Sequence, residues 1–197
     1  MRRRILPVLM LSALLLSGCG SEAEETFRGT RERLQEGASV RLTAQLQADC
    51  GDALEQYSLD YTLEGPSWQA TVISPEILAG IQADCTGDTS TLTYDGVVLS
   101  TGTITQRGLS PLTAVPLAIQ ALKEGLVESL WTEGEYAVCR VGLDEALTCT
   151  LWLDAAGLPR AAELAEQGRV QARCKFTYAE IKESNHGRSE ETNLGGD

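Results

Sequence analysis

The chain has 197 residues, 28 Asp and Glu against 16 Lys and Arg, a formal net charge of -12 and 43% hydrophobic residues. That is enough for one domain with a sizeable core, and it is a folding composition rather than a disordered one. The acidic balance argues against nucleic acid, which requires a basic stripe, and the only histidine, His186 in a polar tail, disfavours a Ser-His-Asp triad, a Cys-His pair or a His-ligated metal.

Arg2, Arg3 and Arg4 precede an uncharged run from Ile5 to Leu16. A basic start followed by a short apolar stretch is an export signal, too short for an ordinary membrane span. It ends in Leu16-Ser17-Gly18-Cys19, which resembles the bacterial lipobox. The resemblance implies cleavage after residue 18 and acylation of Cys19, with 19–22 as the lipidated tether. The chain would then be exported and held by its acyl chains to the outer face of the cell membrane, or to the periplasm-facing envelope of a diderm.

Ala23 to Glu36 reads as a helix with Ala23, Phe27, Thr30 and Leu34 on one narrow face. The period then changes to two. Val40, Leu42, Ala44, Leu46 and Ala48 alternate with polar residues, as do Tyr57, Leu59, Tyr61 and Leu63, and then Trp68, Ala70 and Val72. One apolar and one wet face mark an antiparallel sheet. Ser74-Pro75-Glu76 reads as N-cap, N1 proline and first-turn acid of a short helical turn. Thr91–Tyr94 and Val97–Leu99 flank Asp95-Gly96, a strong hairpin signal.

Ser110-Pro111-Leu112 opens a segment in which Val115, Leu117, Ala118, Ile119, Ala121 and Leu122 point in nearly every helical direction, ending near Lys123 and Gly125. Pro116 either starts this helix or kinks a longer one. A helix apolar on all sides must be covered on all sides; a strongly curved sheet wrapped about it would do so. The helix is then either a plain core element or a ligand-lined lid. Tyr136–Leu143 and Ala146–Leu153 form a second hairpin, with Asp144-Glu145 in its turn, and Val170 to Tyr178 alternates as a last strand. The expected fold is α+β and mainly β: an N-terminal helix, a mid-chain apolar helix, and a strongly curved antiparallel sheet, in one domain over 23–183. Residues 184–197 read as a disordered tail.

Four stretches, Ser74–Ile81, Leu92–Gly96, Gly108–Leu112 and Leu151–Arg160, together with the signal and the central helix, resemble the LolA/LolB-like superfamily. That group includes lipoprotein carriers, mycobacterial lipid-binding lipoproteins and germination lipoproteins. The resemblance implies an incomplete, bent barrel with helices on its concave face, often with a cavity for acyl chains such as palmitate. Fold resemblance carries no single function.

Five cysteines besides Cys19 fall on the apolar phase of their strands, without a Cys-x-x-Cys pair. Cys139 and Cys149 share a phase across one hairpin, either directly opposite or one diagonal apart, and are the candidate disulfide. Asp49, Asp52, Asp84 and Asp88 could form an acidic rim for calcium, but solvated loop charge is the plainer account. Gly-x-Ser-x-Gly, a Walker loop, Ser-x-x-Lys and His-Glu-x-x-His are all missing from the sequence, so no catalytic residue, cofactor or metal is expected.

The leading expectation is a non-enzyme that binds a lipid or other apolar ligand. Its wall would be Leu42, Leu46, Leu59, Tyr61, Trp68, Leu92, Leu99 and Trp152, with Leu112, Val115, Leu117, Ile119 and Leu122 from the lid. The alternative is a non-catalytic scaffold or adaptor that docks a cell-envelope enzyme and has no ligand cavity.

Overall fold

The structure is a computed structural model that describes residues 22–49, 51, 53–87, 89–102 and 109–183. The signal segment, Cys19, Cys50, Asp52, Asp88 and the 184–197 tail lie outside these residues.

Helix α1 (Glu22–Gln35) buries Ala23, Phe27, Thr30 and Leu34, the face expected from the sequence. Six strands follow: β1 (Ser39–Asp49), β2 (Leu54–Glu64), β3 (Ser67–Ser74), β4 (Gln82–Thr86), β5 (Thr89–Tyr94) and β6 (Val97–Gly102). Helix α2 (Ala114–Glu124) leads to β7 (Leu126–Glu133), β8 (Tyr136–Gly142), β9 (Leu147–Leu153), β10 (Pro159–Glu166) and β11 (Arg169–Lys182). All eleven strands form one sheet in the order β6-β5-β4-β3-β2-β1-β11-β10-β9-β8-β7.

Two meanders therefore meet where β1 pairs antiparallel with β11: β1–β6 runs out from that seam to one edge, and β7–β11 runs in to it from the other. The sheet curves without closing, leaving β6 and β7 as its edges. The chain passes from one edge to the other through α2, which packs with α1 on the concave side. This incomplete barrel with helices inside is the architecture that the superfamily resemblance implied.

Alternation sets which side chains go inward. β1 buries Val40, Leu42, Ala44, Leu46 and Ala48 and turns Arg41, Gln45 and Gln47 outward. Asp95 (φ 48°) and Gly96 (φ 76°) form the two-residue turn joining Tyr94 to Val97. Positive φ at both centres matches the strand twist, and Asp-Gly tolerates it.

Several details differ from the expectation. Pro75 occupies the cap position of the 3-10 turn Glu76–Leu78, not its first helical position. Pro116 is the third residue of α2, so it neither starts nor kinks it; its missing N–H falls in the first turn, where no intrahelical acceptor exists. β4, β7 and β10 were not anticipated.

The Cys139–Cys149 bridge is also not formed. Cys139 faces Leu151 and Cys149 faces Val141, so the two are diagonal neighbours, and both are buried as thiols, as is Cys174. A diagonal pair stands about 7 Å apart, well beyond the ~3.8 Å between Cβ atoms of a disulfide. Burial pushes the Cys139 and Cys174 thiols up to about 12 and raises that of Cys149 strongly. Cys85 is likewise a buried thiol, and its Sγ donates to Gly87 O at 3.5 Å.

Helix α1 is fixed by polar contacts as well as by its apolar face. The Thr30 hydroxyl donates to Gly157 O at 3.0 Å, and Arg33 Nη2 donates to Ala156 O at 3.0 Å. Their acceptors lie in a turn held by Asp154, whose Oδ1 accepts from Ala156 N and Leu158 N at 2.9 Å each. Gly157 has φ 73°, and a Cβ there would collide with the Thr30 hydroxyl. The Leu151–Arg160 motif thus acts as the dock for α1.

Candidate ligand pocket on the concave face

Arg31 of α1 caps α2. Its Nε donates to Leu122 O at 2.8 Å and its Nη2 to Gly125 O at 2.8 Å, while Gln35 donates to Lys123 O at 3.0 Å. These carbonyls end a helix and have no intrahelical partner, and a cation there also suits the helix dipole. The guanidinium stacks 4.5 Å from the Phe27 ring centre, and partial burial lowers its pKa from the ordinary arginine value. The cap fixes where α2 lies over the sheet.

So fixed, α2 leans on one half of the sheet. Ala114, Val115, Ala118, Ala121 and Leu122 are fully buried, and the helix packs against β8, β9, β10 and β11. Over β1 to β4 a gap of about 390 Å3 remains. Pro116, Leu117, Ile119 and Gln120 of α2 form one wall; Val40, Leu63, Trp68 and Cys85 form the sheet wall; Leu34 and Ala38 close the α1 end. The Gly65-Pro66 turn and the Lys123 and Glu124 side chains make the rim, where the Lys123 ammonium is 3.6 Å from the Glu124 carboxylate. The volume lies in the usual range for small-molecule sites, about 300–1,000 Å3.

The expected wall residues separate into four groups. Trp68, Leu117 and Ile119 line the pocket. Leu42, Leu46, Leu59, Val115 and Leu122 are buried in the packed core, and Leu92 and Leu112 pack half-buried against it. Tyr61 is a structural tie: its hydroxyl donates to Pro111 O at 2.9 Å, and burial raises its pKa above the normal phenol value. Leu99 and Trp152 are misplaced by the expectation. Leu99 is 60% exposed on the β6 edge, and Trp152 lies on the convex face, because Leu151 and Leu153 occupy the inner phase of β9. Reasoning from apolar phase missed Leu34, Ala38, Val40 and Leu63 as lining, although all four lay on recognised apolar faces or beside them. It also missed the polar rim, which carries no apolar signal.

Two of the four aspartates of the supposed calcium rim are described, and both are bound to protein groups. Asp49 is 2.7 Å from Arg169, and Gly51 N–H and that guanidinium hold its carboxyl below the usual range. Asp84 accepts from Gln69 Nε2 at 2.6 Å. Among the described residues, no helix is long and apolar enough to cross a membrane.

No protein-family model and no curated protein sequence matches the chain. Solved structures do. The chain is similar to an uncharacterized conserved protein from Thermus thermophilus, at 13% identity over 83% of this chain and 88% of that one, with a TM-score of 0.48. It is similar to a LolA superfamily protein from Nitrosomonas europaea, at 12% identity over 83% and 94%, TM-score 0.42. It is also similar to the lipoprotein LppX of Mycobacterium tuberculosis, at 11% identity over 78% and 92%, TM-score 0.40. Likenesses of this degree assign no ligand or partner to this chain.

Proposed function

We propose that this chain is an exported, membrane-anchored lipoprotein, acylated at Cys19, that binds a lipid or other apolar ligand on the concave face of its sheet, without catalysis. One observation carries the ligand part: the 390 Å3 gap between α2 and β1–β4, walled by Trp68, Leu117 and Ile119. The walls favour an apolar body, whose transfer from water contributes about 25 cal/mol per Å2 buried before association costs. Lys123 and Glu124 at the rim suit a polar head that stays near water.

The anchor reading rests on the sequence of residues 2–19. Mass spectrometry of the N-terminal peptide from the native host tests it: a diacylglyceryl-modified Cys19 is expected, and an unmodified Cys19 would overturn it. For the pocket, uptake of a fluorescent fatty acid is expected in the parent, and Leu117→Trp, which fills the gap, reduces it at least tenfold. Uptake absent from the parent, or unchanged in the variant, would contradict the ligand site.

A second reading has its own observation. Tyr94, Val97, Val98 and Leu99 of the β5–β6 hairpin are 51–63% exposed on an edge of the sheet. Such an edge offers unpaired backbone groups to a partner strand, as an adaptor docking a cell-envelope enzyme would. Pull-down of an envelope hydrolase that is lost in Val98→Lys would favour this role.

A further inference from the structure

The convex face carries a second cleft, of about 900 Å3, distinct from the concave pocket. Its lining includes Gln45, Gln47 and Gln56, the Lys175 ammonium, Arg173 and the Trp152 indole. The strand register orders them. Gln47 lies between Gln56 and Arg173, and Arg173 faces Glu163. In the neighbouring row Gln45 faces Lys175, Lys175 faces Ala161, and Ala161 faces Trp152.

Three properties make this a prepared surface. First, the aromatic end is rigid: Val138 faces Trp131 on one side and Trp152 on the other. It is 0% exposed although it belongs to the outer phase of its strand. The Trp152 Nε1–H donates to Glu133 Oε2 at 3.3 Å, and the indole lines the cleft. Second, Ala161, between Lys175 and Trp152, keeps the floor low. Third, Arg173 and Arg160 are held by Glu163 and Asp154 at 3.0 and 2.7 Å, whereas the amides of Gln45, Gln47 and Gln56 and the Lys175 ammonium make no hydrogen bond or ion pair within the described protein.

The chemistry of an occupant follows. Three free amides and a free ammonium are poorly suited to an apolar ligand, because burying them under one would leave them unsatisfied. A peptide strand needs a sheet edge, and this cleft lies where each strand is paired on both sides. A chain of net charge -12 repels nucleic acid. A sugar chain meets every feature. Its hydroxyls pair with amide and ammonium groups, and its C–H faces stack on the electron-rich face of an indole. Strands are spaced about 4.8 Å apart, close to the length of one sugar in a β-linked glycan, so a glycan laid across the strands meets a new side chain at each residue. Gln45 and Trp152 are separated by three strand spacings, about 14 Å, the reach of three or four sugars.

We propose that the convex cleft is a binding site for an extended β-linked oligosaccharide, with Trp152 as the stacking platform and Gln45, Gln47 and Lys175 as the hydroxyl-binding groups. The test is calorimetric titration of the full-length chain with chitotetraose, cellotetraose and chitobiose. At least one tetrasaccharide is expected to bind, and chitotetraose, where it is the one, at least tenfold more tightly than chitobiose. Trp152→Ala is expected to weaken binding at least tenfold. Because Trp152 also covers Val138, the double variant Gln45→Ala/Gln47→Ala, altering only outward side chains, provides an independent arm with an expected loss of five- to twentyfold. Ile77→Ser, at an exposed site outside the cleft, is expected to bind like the parent. Failure of both tetrasaccharides at millimolar concentration would overturn the proposal. So would equal affinity for chitobiose and chitotetraose, or affinity within twofold of the parent in the double variant.

Discussion

The two halves of the sheet are built on the same alternation, yet α2 treats them differently. It packs against β8–β11, where Cys139, Cys149, Leu151 and Leu164 are all at most 1% exposed. Against β1–β4 it stands off, leaving room between Leu117 and Trp68. Buried alanines occur on both sides, and Cys85 itself lines the gap, so small side chains alone do not set the difference; Trp68 and the Gly65-Pro66 turn stand only on the open side. A cavity in this fold is thus set by the lean of one helix, and Arg31 and Gln35 set the lean.

Alkaline titration should break the packed half first. The buried thiols of Cys139, Cys149 and Cys174 all belong to it, and burial raises their pKa values above the ordinary thiol value of 9.0. A raised folded-state pKa contributes stability that is complete below the unfolded-state value and is lost as pH climbs toward the folded one. Between pH 9 and 12 each thiol should therefore remove up to about 1.4 kcal/mol of stability per pH unit. Urea unfolding under reducing conditions reads this directly. A midpoint that does not move between about pH 8.5 and about pH 10.5 would show that the thiols are not buried as described.

Leu122→Ala truncates a side chain that is 0% exposed on the packed side of α2, and should cost about 3 kcal/mol by thermal or urea unfolding. Arg31→Ala leaves α2 carbonyls without donors and should cost about 2 kcal/mol; it should also reduce ligand uptake, because the lean is lost. Leu117→Ala, beside an existing gap, should cost only about 1 kcal/mol, as part of its cavity is already present. Leu99→Ser on the exposed edge should stay within about 0.5 kcal/mol of the parent. Equal costs for Leu122→Ala and Leu117→Ala would erase the asymmetry.

Much of this fold was legible where a period was clean. The α1 face, the alternation of β1 and β2, the Asp95-Gly96 hairpin and the β8–β9 hairpin follow from spacing alone. β10 was hidden because Arg160–Glu166 is rich in Ala, Glu and Leu, good helix formers. It is a strand because β9 and β11 pair with it on both sides, a tertiary override of propensity. β7 was hidden because an edge strand has little alternation to show, and β4 because it has five residues.

The site was less legible for a different reason. Apolar phase identifies the concave side, but Leu42 and Leu46 share that phase with Val40, and only Val40 lines the gap. Filling and lining differ by the position of α2, which depends on contacts between residues 31 and 122–125, far apart in sequence. Trp152 shows the opposite case: the phase that puts Leu147 and Leu151 inside puts it outside, so its placement was available from alternation.

Native mass spectrometry of the exported chain, released without detergent, tests the central claim most directly. The account predicts that the parent carries one co-purified lipid-sized apolar ligand and that Leu117→Trp, equally folded, carries none. A parent with no bound ligand, or a variant that retains it, would contradict a ligand pocket between α2 and β1–β4.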